Sequence, residues 1–502
     1  MKVLSCATYE GLDAKVVDVE STLTKGLPSF SIVGMASTAI TESKERVKSA
    51  LLSNDFSFPP KRITFSLAPS ELSKSGSQFD LSMALLILLN TQEVDLKEWF
   101  VFGELGLDGQ VKENVQLYPL ILSLANQKKI KKAIVPFHAL DKLSKIPDIA
   151  FYGVKILNEA MEILKNEENI SPSVCKAEIE HPFYELEGEK YYYIKEYDED
   201  FFDVKGQENA KRAALIAAAG FHNILLEGSP GCGKSMIASR LRYILPPMDT
   251  YEMLDLAKLQ VLDDIEPSFK PHRTMRVVHH TATSASVFGG GSHKAKIGEV
   301  GLAHKGILFF DELPHFSKVV LESLREPMQD GKIRISRVNT KVQYPAQFLF
   351  VGAMNPCPCG NLLDEYKECR CNELEVQRYK NRLSDPFLDR IDLNVTMQNV
   401  SADDKPSFHS QEMHKLVVQA HIFAKKRGQV CFNAHLDDKD IEQYCMMDDA
   451  AEDVLQRATQ QYTLSFRSIK KVQKVARTIA DLEGSEIITK KYILEALSFR
   501  RR

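Results

Sequence analysis

The sequence predicts a multidomain protein of the α/β class. Its 502 residues exceed what one hydrophobic core ordinarily organises, so about two to four domains are expected. Residues 1–165 alternate β-like runs such as KRITFSLAP with helix-like runs such as TESKERVKSALL, and from Gly206 to about Val400 strand, loop and helix signals follow one another closely. Beyond residue 400, apolar residues recur at spacings of three and four, which indicates helices.

These patterns divide the chain into four segments. We expect an α+β domain over residues 1–170, an acidic linker over 171–204, an α/β core over 205–400 and a helical domain over 401–502. The linker is assigned because acidic side chains and two prolines interrupt the alternation, and its tyrosines at 191–193 indicate that it docks in part through aromatic contacts.

The composition is that of a globular protein with reduced thiols. Hydrophobic residues make up 44% and charged residues 26%, and no apolar run reaches the length of a membrane span. The start, MKVLSCATYE, lacks the apolar core of a signal peptide, so we expect a cytoplasmic protein without membrane attachment. In that compartment, clustered cysteines indicate a metal before a disulfide. The formal net charge of −4 means that any nucleic-acid binding must come from local basic patches.

A phosphate-binding loop is the clearest motif. HNILLEGSPGCGKSMIASRL contains G-x-x-x-x-G-K-S, with an apolar strand before it and a helix-like run after it. Its backbone N–H groups would converge on phosphate oxygens, while Lys234 contacts the β- and γ-phosphates and Ser235 binds Mg²⁺. The loop residues assigned to the nucleotide are Gly228, Ser229, Pro230, Gly231, Cys232, Gly233, Lys234 and Ser235.

A second nucleotide motif lies in KGILFFDELPHF. The apolar run Ile307–Phe310 predicts a buried strand that ends at Asp311 and Glu312. A carboxylate at the C-terminal end of such a strand can hold Mg²⁺ through water, and the next can orient the attacking water. Downstream of a P-loop, the two acids predict ATP hydrolysis by in-line attack of water on the γ-phosphate, with ATP and Mg²⁺ required.

Several long stretches resemble one known family. FDVKGQENAKRAALIAAAGFHNILLEGSPGCGKS resembles the opening of an AAA+ module of the magnesium-chelatase type, and HRTMRVVHHTATSASVFGGG resembles that group's helix-2 insert. NPCPCG, CRC and QRYKNRLSDPFLDRIDL are similar to the ComM/YifB family of bacterial magnesium-chelatase-like ATPases, and GLPSFSIVGMASTAITESKERVKSALL is similar to its Lon-protease-like domain. The resemblance implies a Lon-protease-like α+β domain, an AAA+ P-loop α/β core and a C-terminal helical lid.

The resemblance also implies further nucleotide contacts. Asn355 matches sensor 1, an amide beside the γ-phosphate, with a plain Asn-Pro turn as the alternative. Arg467 matches sensor 2 of the lid, with a solvated basic face as the alternative. The segment that lines the adenine pocket is assigned to Val204, Gly206 and Gln207.

An arginine finger is implied at Arg390, where the family supplies one to the nucleotide of the neighbouring subunit. A local salt bridge of Arg390 to one of its flanking aspartates is one alternative, and a finger at Arg382 or Arg378 is another. A finger in trans requires a ring, so the resemblance implies a homo-oligomer, namely a homohexamer.

The Lon-like resemblance raises the alternative of an ATP-dependent peptidase. Such chemistry needs a serine nucleophile activated by a nearby lysine. The aligned position is Gln78, with Ser77 one place early, and the helix predicted at 115–125 contains no lysine. Lys74 is close in sequence but lies in the wrong element. We therefore predict a catalytically inactive domain.

A basic hairpin is predicted in DGKIRISRVNTKVQYP. The cations Lys332, Arg334, Arg337 and Lys341 lie close together without an acid among them, and residues 332–335 alternate basic and apolar. In a ring, this hairpin can face the pore and follow a phosphate backbone, with an ordinary charged strand as the alternative.

The predicted partner of the motor depends on the resemblance. ComM-type proteins are similar to helicases that drive branch migration during recombination of transforming DNA, so branched or single-stranded DNA is expected. A chaperone-like motor that remodels protein complexes is the alternative class. The paired His279 and His280 of the insert are interpreted as packing or capping residues, because no further metal ligand stands at suitable spacing.

Two CxC pairs complete the set of motifs. Cys357, Cys359, Cys369 and Cys371 follow the candidate sensor Asn355 and precede the candidate finger. Four thiolates in two close pairs suit a closed tetrahedral Zn²⁺ site, with unliganded cysteines or a disulfide as the alternatives. We expect a structural zinc that holds this insert, residues 357–371, in place.

Overall fold

The computed structural model consists of two compact units. The first comprises Met1–Glu180, Ala257–Phe269 and Ser336–Val342, and the second comprises His181–Leu256, Lys270–Ile335 and Gln343–Arg502. The structure describes residues 2–10, 13–166, 169–173, 179–290, 296–336, 341–365, 367–401 and 403–500.

The first unit is an α+β arrangement around one mixed sheet. Its elements are β1 (Lys2–Glu10), β2 (Asp13–Thr24), β3 (Ser29–Val33), α1 (Thr38–Ser53), β4 (Arg62–Ala68), α2 (Asp80–Leu88), β5 (Trp99–Val101), β6 (Glu104–Leu105), β7 (Val111–Lys112), α3 (Leu117–Asn126), β8 (Lys132–Pro136), α4 (Leu140–Leu143), β9 (Ala150–Val154) and α5 (Leu157–Lys165). The seven-stranded sheet has the order β3-β4-β2-β1-β5-β8-β9.

Helix α2 forms the centre of this unit. Its sequence DLSMALLIL is apolar on every face, and all but its last residue are buried, as expected for a helix enclosed on all sides. Asp80 is the one buried acid of the helix, and the guanidinium of Arg46 forms an ion pair with it at 2.6 Å. A buried carboxylate needs such a partner, so this pair anchors α1 to α2.

The second unit contains an α/β core followed by helices. Its elements are β10 (Phe183–Leu186), β11 (Glu189–Tyr192), α6 (Glu208–Gly220), β12 (Ile224–Gly228), α7 (Lys234–Leu241), β13 (Met248–Asp249), α8 (Thr250–Leu262, whose last residues belong to the first unit), β14 (Met275–Val278), α9 (Ser284–Phe288), β15 (Gly289–Gly290), β16 (Lys296–Ile297), α10 (Glu299–Leu302), β17 (Ile307–Phe310), α11 (Lys318–Ser323), α12 (Arg325–Asp330), β18 (Lys332–Ser336, whose last residue belongs to the first unit), β19 (Lys341–Pro345, whose first two residues belong to the first unit), β20 (Leu349–Met354), α13 (Glu373–Lys380), α14 (Asp385–Leu388), β21 (Leu393–Met397), α15 (Ser410–Lys426), α16 (Asp438–Tyr444), α17 (Asp449–Gln461), α18 (Phe466–Leu482) and α19 (Lys490–Ser498).

A five-stranded parallel sheet positions the nucleotide motifs. Its order is β14-β17-β20-β12-β21, and every neighbouring pair is parallel. Strands β17 and β20 are buried throughout, which explains their continuous apolar sequences ILFF and LFVGAM. Because all five strands run in the same direction, the loops after them meet at one edge of the sheet, where ligands of such folds bind.

The segment from Phe183 to Asp203 packs against helix α15 and does not form an unstructured linker. Strands β10 and β11 form a three-stranded sheet with β13. The hydroxyl of Tyr184 lies 2.5 Å from Nδ1 of His421, and the hydroxyl of Tyr197 lies 2.9 Å from Nδ1 of His414, both histidines being on α15. Part of the segment predicted as an acidic linker is therefore ordered structure of the second unit.

The C-terminal helices surround a buried polar network. Asp481 on α18 accepts hydrogen bonds from the guanidinium of Arg427, from Nε of Arg477 at 3.0 Å and from Nδ2 of Asn433 at 2.8 Å. The predicted fold class, an α/β core followed by a helical region, is confirmed. Among the helices that the structure describes, none has the length and apolar character needed to cross a membrane.

Candidate functional site

The loop between β12 and α7 has the backbone conformation of an anion cradle. Gly231 and Gly233 have φ of +84° and +98°, which favour glycine, and a Cβ at Gly231 would meet no atom within 4 Å. A Cβ on Gly228 would instead lie 2.7 Å from the Sγ of Cys232, so this glycine is required by packing. The open space above Gly231, at the N-terminus of α7, fits a phosphate group.

Lys234 is held in position by three oxygen acceptors, and its Nζ also lies 3.9 Å from Sγ of Cys232. Its Nζ donates hydrogen bonds to the carbonyls of Gly228 (2.7 Å) and Ser229 (3.0 Å) and to Oδ1 of Asn355 (3.2 Å). The ammonium group of lysine has three donors, so all three are used. The contact joins Asn355, at the end of β20, to the P-loop.

The groups expected to bind Mg²⁺ are adjacent. Oγ of Ser235, at the start of α7, donates a 3.1 Å hydrogen bond to Oδ2 of Asp311, which follows β17. A hydroxyl and a carboxylate oxygen are hard ligands, and Mg²⁺ in phosphate sites takes only one or two protein ligands of this kind. The pair therefore fits the ion that accompanies a nucleoside triphosphate.

Glu312 follows Asp311 in a strained conformation. Its φ of 52° lies in the left-handed region, and its side chain is exposed. Oε2 of Glu312 lies 3.4 Å from Nδ1 of His280, whose ring contacts that of His279 at 4.3 Å. His280, interpreted from the sequence as a packing or capping residue, thus contacts the candidate catalytic carboxylate.

The segment before α6 reaches the phosphate loop through Gln207. Gln207 has a left-handed φ of 60°, and its Nε2 donates to the carbonyls of Cys232 (3.1 Å) and Gln398 (2.6 Å). Val204 is buried, and the amide of Gly206 donates to the carbonyl of Lys405. These contacts place the predicted adenine segment beside the P-loop.

Arg390 lies in a separate cleft of about 400 Å³. Its Nη2 donates to Oε1 of Gln329 (2.7 Å) and its Nη1 donates to the carbonyl of Pro386 (2.5 Å). Asp392 is paired with Lys471 at 2.8 Å, and among the described residues Arg390 forms no ion pair with either flanking aspartate. The local salt bridge considered from the sequence is therefore not the arrangement found.

Arg467 lines the same cleft as Arg390. Burial and the nearby guanidinium of Arg467 lower the pKa of Arg390. Within the described part of the chain, no hydrogen bond or ion pair joins Arg467 to the P-loop. Of the other finger candidates, Arg382 donates to the carbonyl of Pro314 (3.1 Å) and Arg378 is exposed on α13.

The four cysteines of the insert converge. The Sγ of Cys357 lies 3.4 Å from that of Cys359 and 3.7 Å from that of Cys369, and the four Sγ atoms lie within 4.8 Å of one another. Four sulfurs at about 2.3 Å from a tetrahedral zinc would be roughly 3.8 Å apart, whereas a disulfide requires about 2.05 Å. The cysteines are free thiols whose spacing fits zinc.

The basic hairpin shows the predicted alternation where the structure describes it. Lys332 and Arg334 are exposed and Ile333 between them is buried, on β18, which pairs with β19. Arg337 and the predicted turn lie outside the described residues, and of Lys341 only the backbone in β19 is described.

The first unit offers Ser77 no lysine partner among the described residues. Oγ of Ser77 donates to the carboxylate of Glu104, and the fully buried Lys74 donates its Nζ to the carbonyl of Pro69. Gln78 donates to the carbonyls of Ala7 and Ser75.

Two contacts of the candidate site were not predicted from the sequence. They are the contact of His280 with Glu312 and that of Gln329 with Arg390. His280 comes soon after β14, and β14 pairs in parallel with β17. Polar residues after adjacent parallel strands meet at one edge, so this signal could have indicated its proximity to Glu312. For Gln329 no comparable sequence signal exists.

Three family models match the chain and together span most of it. The model described as "Magnesium chelatase, subunit ChlI" matches residues 200–405, "Subunit ChlI of Mg-chelatase" matches residues 19–139, and "Magnesium chelatase, subunit ChlI C-terminal" matches residues 407–500. The first match contains the P-loop, both acids after β17, the cysteine cluster and the hairpin.

Similar curated proteins extend over the full length. The chain is 36% identical over 503 residues to the competence protein ComM of Haemophilus influenzae, covering 98% of this chain and 95% of that protein. It is also 36% identical over 507 residues to the Escherichia coli protein YifB, with the same coverage of both chains. The magnesium-chelatase 67 kDa subunit of Heliobacterium mobile is 27% identical over 183 residues, which are 30% of this chain and 27% of that subunit. The chain belongs to the ComM/YifB family of magnesium-chelatase-like AAA+ ATPases.

Proposed function

We propose that this AAA+ ATPase is a ring-shaped motor that moves DNA, a helicase of the branch-migration type that acts in the recombination of transforming DNA. The observation that carries the proposal is the exposed basic strand β18, which lies close in sequence to the arginine cleft of the same unit. The similarity of the chain to a competence protein agrees with a role in the recombination of transforming DNA.

ATP hydrolysis would be carried out at the edge of the parallel sheet. Lys234, already bonded to Asn355, would bind the β- and γ-phosphates, and Ser235 with Asp311 would hold Mg²⁺. Bound Mg²⁺ would neutralise charge on the phosphates. Glu312 would orient the attacking water, and Asn355 would orient the same water from the end of β20. Gln207 would fix the adenine segment against the P-loop.

The cleft that contains Arg390 and Arg467 would complete this site from the neighbouring subunit. Both guanidinium groups line this cleft, and among the described residues neither forms a hydrogen bond or ion pair with the chain's own P-loop. Arginine is suited to stabilise the charge that develops on a transferred phosphoryl group. A site completed in trans needs a closed ring, and six subunits are proposed from the family.

DNA would be bound by the hairpin of each subunit in the pore. Lys332 and Arg334 present exposed cations on alternate positions of β18, as required to contact successive phosphates. Arg337 and Lys341 would extend this basic strip.

The cysteine cluster is proposed to bind one structural zinc. A Cβ on Gly360 would lie 2.7 Å from Cδ of Pro230, so the insert contacts the phosphate loop directly. Fixing the insert through Cys357, Cys359, Cys369 and Cys371 would therefore fix a neighbour of the nucleotide.

Branch migration on a synthetic four-way junction tests the proposed function. We expect ATP-dependent migration by the wild type and none by Glu312→Gln, which keeps the shape of the side chain. We also expect branched DNA to stimulate ATP hydrolysis. No migration, together with hydrolysis indifferent to DNA, would reject the DNA motor.

The hairpin is tested by Lys332→Ala with Arg334→Ala. The ratio of DNA-stimulated to DNA-free turnover should fall, and the salt dependence of DNA affinity should become shallower, because phosphate contacts are lost. Lys415→Ala with Lys439→Ala removes the same charge from exposed positions on α15 and α16 and is the matched control. Equal behaviour of the two double variants would reject the hairpin as the DNA contact.

A chaperone-like motor that remodels protein complexes is the second candidate. It is favoured by the relation to magnesium-chelatase subunits and by the net charge of −4. Stimulation of ATP hydrolysis by a protein and not by DNA would identify it. A Lon-type protease is disfavoured because Ser77 bonds to Glu104.

A further inference from the structure

The cleft of Arg390 is bounded on one side by the base of the basic hairpin. Its lining includes the chain from Pro327 to Gly331 and from Ala346 to Phe348, which lie immediately before β18 and after β19. The lining also includes Arg390 and Arg467 of α18. A single cleft therefore contains the candidate finger and the structure from which the hairpin projects.

One side chain of this cleft contacts the guanidinium of Arg390. Gln329 lies in the last turn of α12, three residues before Lys332, and its Oε1 accepts the 2.7 Å hydrogen bond from Nη2 of Arg390. The second contact of the guanidinium, from Nη1 to the carbonyl of Pro386, stays within the segment of Arg390 itself. Gln329 is thus the side-chain acceptor that fixes this guanidinium to the hairpin side.

The guanidinium keeps unused donors in this arrangement. Arg390 Nε is buried and has no hydrogen-bond partner among the described residues. Each terminal nitrogen makes one of its two possible hydrogen bonds. The two contacts orient the planar group and leave N–H groups for an anion, as expected of a positioned arginine and not of one fully paired in the fold.

The hairpin is joined to α12 without a flexible connection. The amide of Gly331 donates to the carbonyl of Pro327 (3.0 Å), which closes the helix, and the amide of Ala346 donates to the carbonyl of Gly331 (2.8 Å), which closes the base of the hairpin. Gly331 has a φ of +62°, and a Cβ there would lie 2.8 Å from Cγ of Gln347. A displacement of the hairpin therefore moves the last turn of α12.

We propose that Gln329 is a positioning residue for Arg390 and that it transmits the position of the β18–β19 hairpin to this arginine. The second part, transmission from the hairpin, rests on the proposed function. Binding of a phosphate backbone at Lys332 and Arg334 would shift α12, and Gln329 would carry the shift to the guanidinium. The state of the hairpin in one subunit would set the rate of hydrolysis at the nucleotide that its finger serves.

The test compares two substitutions of equal length. Gln329→Met removes the acceptor, and Gln329→Glu keeps an oxygen acceptor at the same distance. We expect Gln329→Met to lower the DNA-free kcat about tenfold with KM for ATP within about twofold, since misplacing a charge-stabilising group affects the transition state more than binding. Gln329→Glu should recover at least about half of the wild-type kcat.

Two controls separate positioning from general damage. In an Arg390→Ala background, Gln329→Met should change kcat no further, because its effect passes through the guanidinium. Gln456→Met, at an exposed position of α17, is the matched control and should behave as the wild type. An additive loss in the Arg390→Ala background, or a wild-type kcat for Gln329→Met, would overturn the positioning role.

Transmission is read from the ratio of DNA-stimulated to DNA-free turnover. We expect Gln329→Met to bring this ratio close to one while affinity for a four-way junction is retained. A lowered kcat with an unchanged ratio would overturn transmission. If the wild type itself ignores DNA, the proposed function fails, and the DNA-free kcat values still decide the positioning role.

Discussion

Nζ of Lys234 donates a 3.2 Å hydrogen bond to Oδ1 of Asn355, which joins the P-loop to the end of strand β20. Asn355→Ala would leave the lysine its two backbone acceptors, so nucleotide affinity should change little. Hydrolysis should fall about tenfold to hundredfold, because the amide that orients water is lost. Binding of a fluorescent ATP analogue and steady-state turnover measure the two effects. A large loss of nucleotide affinity would assign Asn355 to binding instead.

His280 is expected to restrain the candidate catalytic carboxylate. Its Nδ1 lies 3.4 Å from Oε2 of Glu312, so the imidazole competes with water for that oxygen. His280→Ala should raise DNA-free kcat about two- to fivefold, as expected when a competing contact of a catalytic group is removed. A decrease in kcat would show that the histidine orients Glu312 for hydrolysis, and Glu312→Gln in the same assay sets the background.

The thiol cluster should hold about one zinc per chain. Metal analysis of the purified protein measures the content, and Cys359→Ser should reduce both the content and the unfolding temperature, because metal affinity contributes to folding free energy. Cys431→Ser, a cysteine outside the cluster, is the control. Full ATP turnover by metal-free protein would reject a structural role.

Four buried histidines of the second unit should make its stability depend on pH. Burial lowers the pKa of His222 and His414 to about 4 and that of His304 and His421 to about 3. Between the ordinary value of about 6.5 and these folded values, the unfolded chain binds more protons, so stability falls as pH falls. Each histidine contributes about 1.4 kcal/mol per pH unit in that window.

Thermal unfolding at pH 7.5 and pH 5.5 measures this dependence. The double substitution Tyr184→Phe with His421→Phe removes one titrating group together with its hydrogen-bond partner. The loss of unfolding free energy between pH 7.5 and pH 5.5 should be smaller than in the wild type by about 1.4 kcal/mol. An unchanged loss would mean that His421 titrates normally in the folded protein.

The sequence allowed the fold class and the family to be predicted because the signals are contiguous. The P-loop, the apolar run before Asp311 and the CxC pairs are each short, contiguous motifs. Local backbone preferences and residue spacing are therefore enough to identify them. The same holds for the alternation of Lys332, Ile333 and Arg334, which reflects the period of a strand.

Contacts between distant segments could not be read from such signals. The hydrogen bond from Arg390 to Gln329 depends on how α12 and the segment after α14 pack, and the presence of Arg467 in the same cleft depends on where α18 lies. The pairing of β11 with β13 likewise joins residues far apart in the chain. Tertiary packing selects these partners from many that are equally compatible with the local sequence.

The left-handed backbone of Glu312 implies that the folded state gives up some stability to keep a carboxylate needed for activity. A non-glycine residue with φ of 52° raises the energy of the folded state by about 1–3 kcal/mol, and glycine at this position would not. Glu312→Gly should therefore unfold at a higher temperature than Glu312→Ala, although neither retains the carboxylate. If so, the protein keeps a less stable turn at Glu312 because glycine there would remove the second carboxylate at this edge of the sheet.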